Sequence, residues 1–271
     1  MEILTQSLNS AKRQTQATMT AYLQTPTPNS EVQTFDPLLI IPGGSMTHIP
    51  EEETEKTALA FSAKGYAVFI LRYTFVSQQA PLYPAPVLDL AEAVSQIKAN
   101  QLKWHLTNRL HLMAFSAGGQ IAGLYNDYWD SEWLTKESGH SAAELSFTDL
   151  VLGYPVIDFD AGFPTDQATR DQWTDDPDFF SASHHVTATN RPTFIWATVD
   201  DPIVASQNSL NYFLAQQAQN ISQEIHLFEH GPHGMDIANG LVAHHPEGNQ
   251  PHVAHWVDMA CEWMQSDHQQ F

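Results

Sequence analysis

Four short segments of this chain carry residue types suited to acyl chemistry. In Ala114-Phe115-Ser116-Ala117-Gly118 a serine follows an apolar run and opens a helical segment. On such a sharp strand-to-helix turn the hydroxyl stands out above a sheet, and small residues two before and two after it let strand and helix approach. Glycine-rich strand-to-helix turns also bind phosphate in other α/β proteins, so this segment alone leaves both chemistries open. Upstream, Pro42-Gly43-Gly44-Ser45 follows a run that ends at Ile41. Acyl transfer builds negative charge on a carbonyl oxygen, and backbone N–H groups are its usual stabilisers. Glycine lets a backbone come that close. The expected donors are the N–H of Gly44, with Gly43 or Ser45 beside it, and that of Ala117.

The other two segments supply an acid and a base. Thr198-Val199-Asp200-Asp201-Pro202-Ile203-Val204 follows a predicted strand. An acid there can accept the Nδ1 proton of a histidine and fix its tautomer. The Asp-x-x-Val spacing through Val204 selects Asp201, with the adjacent Asp200 as the alternative. Phe228-Glu229-His230-Gly231-Pro232-His233-Gly234 is a glycine-flanked loop after the last predicted strand. His233, between Pro232 and Gly234, is the expected base, and His230 is the alternative. Chain order joins the segments into one reading, because serine, acid and histidine follow in that order past successive strand ends. Ser116 is then the nucleophile, His233 the base, Asp201 the orienting acid, and Gly43, Gly44 and Ala117 the oxyanion donors, with no metal or cofactor required.

To position these groups, strands and helices must alternate. Residues 37–41, 66–73, 110–115, 150–154 and 193–198 are largely apolar, β-branched or aromatic runs of strand length, and 224–228 is expected as the last strand. Residues 17–23 read as an early edge strand. Helices are expected over 51–64, where Gly65 is placed to end the helix, over 87–100, from about 120, over 208–219 and over 252–265. Parallel strands need crossover connections, usually helices, so the expected class is α/β: a mostly parallel, doubly wound sheet with helices on both faces. We expect a single domain over 1–271. Residues 156–191, rich in Gly, Pro, Asp and His, break the rhythm and read as an inserted lid over the sheet edge.

At this point the chain resembles the small acetyl esterases and xylan-esterase-like carboxylesterases, relatives of the hormone-sensitive lipase branch of the α/β-hydrolase superfamily. The resemblance runs from residue 38 to residue 263. It is carried by LLIIPGGSM, GYAVFILRY, YPAPVLDLAEAV, MAFSAGGQIA, GYPVID, DDPIVASQNSL and FEHGPHGMDIA. It implies the α/β-hydrolase fold, a triad of Ser116, Asp201 and His233, an oxyanion loop at Gly43-Gly44, and a preference for short acyl groups, acetyl above all, including those on sugars. Two departures stand out. Ala114 replaces the first glycine of the usual Gly-x-Ser-x-Gly, and Ser45-Met46 stand where such proteins often have glycine then an aromatic, which leaves the size of the acyl pocket open.

Composition narrows the partners. With 31 acidic and 11 basic residues the formal charge is -20. Such a surface repels nucleic acid and anionic membranes; it suits a neutral or cationic small molecule better than an anionic one, and solubility is the simpler account of it. A small-molecule ester is the expected partner, and a homo-oligomer is left open. No apolar run approaches a membrane span, the N-terminus shows no secretory pattern, and the single Cys261 has no internal disulfide partner, so the cytoplasm is the expected location. His244, His245, His252 and His255 lack a cysteine or spaced carboxylate to complete a metal site and read as exposed histidines. Two rival functions share the segments: a small-peptide serine peptidase, and a catalytically silent hydrolase fold that only binds.

Overall fold

A computed structural model describes residues 1–266 and residue 268 of the chain. Period-two alternation builds its central sheet. In β3 (Pro37–Ile41) every residue is buried, with Leu38 and Ile40 packed on one face and Leu39 and Ile41 on the other. β4 (Ala67–Arg72), β5 (His111–Phe115), β6 (Asp149–Gly153) and β7 (Thr193–Thr198) are similar apolar runs, as strands covered on both faces must be. The eight strands lie in the order β1-β2-β4-β3-β5-β6-β7-β8. β3 to β8 (Gln223–Phe228) pair in parallel, while β1 (Glu2–Ser7) and β2 (Thr18–Leu23) add antiparallel at one edge. This is the expected α/β-hydrolase fold.

Two apolar layers hold the helices. Phe61 of α1 (Glu51–Ala63) and Trp256 of α9 (Trp256–Gln265) pack at 5.9 Å on the Leu38 face, where Trp256 also stacks on Trp196 at 4.9 Å. On the opposite face lie α2 (Ala85–Ala99), α3 (Ala117–Tyr128) and α7 (Gln207–Ala218), through Val87, Leu90, Val94, Ile121, Leu124 and Tyr212.

Several elements differ from expectation for local reasons. The segment expected at the edge is the internal β2, because β1 pairs outside it. β1 (EILTQS) is exposed or half-exposed throughout and has no apolar face to mark it. α3 starts at Ala117 rather than near residue 120. Its small residues are needed for packing, since a Cβ on Gly118 would lie 2.3 Å from the Ile41 carbonyl oxygen. The final helical stretch is two helices, α8 (Pro251–Ala254) and α9, meeting at His255. Two short helices escape the periodicity, α4 (Glu132–Ser138) and α5 (Ala142–Leu145). Both are started by serine caps, Ser131 and Ser141, the second a capping box with Glu144.

Residues 156–191 carry α6 (Gln167–Trp173), and their apolar side chains join the layer that holds α2, α3 and α7. Phe159, Trp173 and Phe180 are buried there, and the Leu82 and Tyr83 N–H groups donate to the Gln172 and Trp173 carbonyls at 2.9 Å each. Tyr128 stacks on Phe179 at 5.1 Å, and Trp133 meets the same ring edge-on at 5.2 Å.

At the strands' N-terminal ends the register sets His111 beside Asp149. His111 Nδ1 lies 2.8 and 2.9 Å from the two Asp149 oxygens, and Nε2 lies 3.7 Å from Asp36 Oδ2. Burial opposes a charge on this ring, but Asp149 and then Asp36 outweigh it and push its pKa up to about 9 from the ordinary 6.5. A raised folded-state pKa means stability that is fully present below the unfolded value and lost as pH rises through the folded one. Urea melts are therefore expected to lose roughly 3 kcal/mol between pH 6.5 and pH about 10, a loss absent from His111→Gln. Equal pH dependence of variant and wild type would contradict this account.

Candidate active site

Ser116 sits between β5 and α3 with φ 51° and ψ −124°, a strained backbone for a non-glycine residue. The surroundings impose it. Its N–H donates to the Gly153 carbonyl at 3.1 Å, and its carbonyl accepts from Gly119 and Val156, each at 2.9 Å. Close packing of α3 on the strand ends leaves no room at Gly119 either, where a Cβ would meet the Pro155 side chain at 2.4 Å. Ala114, where glycine is usual, is buried in β5 between Ile41 and Leu152, so its methyl joins the apolar layer.

The loops after β7 and β8 bring the acid and the base to this serine. Ser116 Oγ lies 2.7 Å from His233 Nε2, and His233 Nδ1 lies 2.7 Å from Asp201 Oδ2. With Nδ1 donating to the carboxylate, Nε2 is left to accept from the serine hydroxyl. The other Asp201 oxygen accepts from the Ile203 and Val204 N–H groups at 2.8 and 3.0 Å. Those two bonds are the physical content of the Asp-x-x-Val spacing. The Asp201 side chain is 1% exposed and that of His233 12%. Low local dielectric strengthens such a chain of hydrogen bonds.

The two alternatives pair with each other instead. Asp200 accepts from His230 Nδ1 and from the Gly231 N–H, both at 2.9 Å. The His230 bond holds the Asp200 carboxyl below its usual range, and Asp200 in turn raises the His230 pKa. Both side chains are more than half exposed, so this pair fastens the surface of the histidine loop.

The Gly43-Gly44 loop lies against the serine. A Cβ on Gly43 would stand 2.9 Å from Ser116 Cβ, and Gly44, at φ 113°, would drive a Cβ to 2.0 Å from the His48 carbonyl oxygen. Only glycine fits either position. Among the described residues the N–H groups of Gly43, Gly44 and Ala117 donate to no acceptor. Ser45 faces solvent, and Met46 turns into the core.

Three nearby residues escape sequence reading. The Tyr73 hydroxyl reaches the Pro42 and Gly43 carbonyls. Tyr154 sets its ring edge-on to His233 at 4.9 Å and donates to Asp236 Oδ1 at 2.9 Å. Burial pushes the Asp236 carboxyl up to about 6, the Tyr154 bond opposing. Tyr73 and Tyr154 lie in the quoted segments GYAVFILRY and GYPVID, and Asp236 in FEHGPHGMDIA, but nothing in those strings separates them from core residues.

Elsewhere, Asp158, Asp160 and His184 hold three donor atoms within 4.8 Å of one another, although Asp158 already accepts from Ser183 and Asn211. A cavity of about 710 Å³ beside Arg109, Trp129 and Arg191 opens at the N-terminal ends of β6 and β7 and includes none of the four segments. Among the described residues no helix is long and apolar enough to cross a membrane.

Known proteins show the same arrangement of chain. A family model described as BD-FAE matches residues 23–215, a range that holds Gly43, Gly44, Ser116 and Asp201 and ends before His233. The fold matches that of a carboxylesterase from Lactobacillus plantarum with TM-score 0.91 and 29% identity, covering 98% of this chain and 97% of that one. An acetyl ester-xyloside bifunctional hydrolase from Caldicellulosiruptor lactoaceticus is similar with TM-score 0.75 and 25% identity over 92% of this chain and 87% of that one. In sequence the chain is 29% identical over 212 residues, 75% of its length, to endo-1,4-beta-xylanase B of Butyrivibrio fibrisolvens. It spans 33% of that curated relative's length.

Proposed function

The chain belongs to the BD-FAE family and is a carboxylic ester hydrolase, and from that premise we propose that it cleaves short, acetyl-type esters, including those on carbohydrates, through an acyl-enzyme on Ser116. The observation that carries the reading is the unbroken chain from Ser116 Oγ to His233 to Asp201, 2.7 Å at each link. His233 takes the serine proton as Oγ attacks the ester carbonyl, and the Gly43, Gly44 and Ala117 amides receive the oxyanion. His233 then protonates the leaving alcohol, and water resolves the acyl-enzyme by the same steps. Asp201 stays charged and holds the ring. No step needs a metal or cofactor.

The acetylated-sugar preference rests on the acetyl ester-xyloside hydrolase and the xylanase among the similar proteins. In this reading residues 1–271 form one hydrolase domain, residues 156–191 shape the acyl pocket, and the single Cys261 suits the cytoplasm. Hydrolysis of 4-nitrophenyl esters from acetate to octanoate tests the acyl preference. Acetate is expected to exceed octanoate in kcat/KM by about 100-fold, a difference of about 3 kcal/mol in transition-state binding. Acetate release from acetylated xylo-oligosaccharides tests the alcohol side. A preference for octanoate, or sugars left acetylated, would remove the corresponding half of the proposal.

A further inference from the structure

Two consecutive glycines make a loop that comes close to a nucleophile and has little stiffness of its own. Something outside the loop must set its peptide planes if its amides are to face a developing oxyanion. In a planar trans peptide the C=O and N–H point in opposite directions. The Gly43 N–H shares its plane with the Pro42 carbonyl, and the Gly44 N–H shares its plane with the Gly43 carbonyl. The Tyr73 hydroxyl lies 3.1 Å from both of these oxygens and shares its one proton between them. The next carbonyl, that of Gly44, accepts from the Thr47 N–H and Oγ1 at 3.0 Å each and from the His48 N–H at 3.3 Å.

We infer that Tyr73 is a positioning residue of the oxyanion hole, fixing the two peptide planes that carry the Gly43 and Gly44 donors. The inference rests on the acyl-enzyme mechanism proposed above. Tyr73 is itself held. Its ring is fully buried and meets Phe75 edge-on at 5.5 Å. The following residue, Thr74, donates its N–H to Asp89 at 2.7 Å, and Arg13 closes on the same carboxylate at 2.6 Å. The Val76 N–H donates to the Met46 carbonyl at 3.0 Å, which ties this segment to the far end of the glycine loop. Burial raises the phenol pKa, so the donor keeps its proton through the alkaline range.

The test uses the full chain and its Tyr73→Phe variant, which removes only the hydroxyl. Three quantities are read: steady-state kinetics on 4-nitrophenyl acetate, the end point of titration with a fluorophosphonate, which counts folded sites, and inhibition by trifluoroacetone, whose serine adduct bears an oxyanion. The variant is expected to lose about 30-fold in kcat with KM within about twofold of wild type. Its titration end point should match wild type, and its trifluoroacetone Ki should weaken by about the factor lost in kcat. An active wild type whose variant matches it in kcat and Ki overturns the inference alone. So does a kcat loss accounted for by a fallen titration end point. A wild type that neither hydrolyses the ester nor reacts with the fluorophosphonate overturns the acyl-enzyme reading and the inference with it.

Discussion

Replacing Ser116 with alanine is expected to lower kcat for 4-nitrophenyl acetate by about 10⁴-fold or more while KM changes by less than about threefold. The loss is large because the hydroxyl, 2.7 Å from the His233 base, is the group that forms the new bond. The small change in KM follows because the amides of Gly43, Gly44 and Ala117 remain. The variant should fold, since the constraints on this turn come from the backbone of residue 116, through Gly153, Gly119 and Val156, and not from its side chain. Alanine at φ 51° bears the same strain that serine does. A variant with near wild-type turnover would mean that the ester is cleaved elsewhere on the protein.

The second large effect separates two adjacent acids. Asp201→Asn is expected to reduce kcat by about 10³- to 10⁴-fold, because an amide at Oδ2 can donate to Nδ1 and hold His233 in the tautomer that cannot take the serine proton. Asp200→Asn should cost less than about threefold. Its carboxylate is half exposed and bonded to His230 and Gly231, and through them it fastens the outer turn of the histidine loop. Steady-state kinetics of both variants on one ester decides between them. Equal losses would show that the loop works as a single unit, and a larger loss at Asp200 would reverse the assignment.

The sequence made the fold and the four segments legible for one physical reason. A strand buried on both faces reads as a continuous apolar run, and each chemical segment begins where such a run stops. That holds for Ile41, Phe115 and Thr198, which close the fully buried β3, β5 and β7, while Phe228 closes the half-exposed edge strand β8, whose Ile225 and Phe228 alone mark it. That Asp201 rather than Asp200 faces His233 is also legible, because the Ile203 and Val204 amides that hold its carboxylate are local to the loop. Long-range polar pairs were not legible. Tyr73 and Tyr154 are aromatic residues at the ends of buried runs and look like core, and their hydroxyl partners lie about 30 and about 80 residues away. β1 was missed because an edge strand with no buried face carries no hydrophobic period. The packing of residues 156–191 depends on scattered aromatic anchors, Phe159, Trp173 and Phe180, with no regular spacing between them.

The central claim is a covalent acyl-enzyme on Ser116, and its most direct test is to locate the adduct. Wild-type protein is treated with a fluorophosphonate, and its intact mass and proteolytic peptides are measured. The account predicts one adduct per chain, on the peptide carrying Ala114-Phe115-Ser116-Ala117-Gly118, and none in Ser116→Ala. An adduct on another residue, or ester hydrolysis that continues undiminished once Ser116 is fully modified, would contradict it.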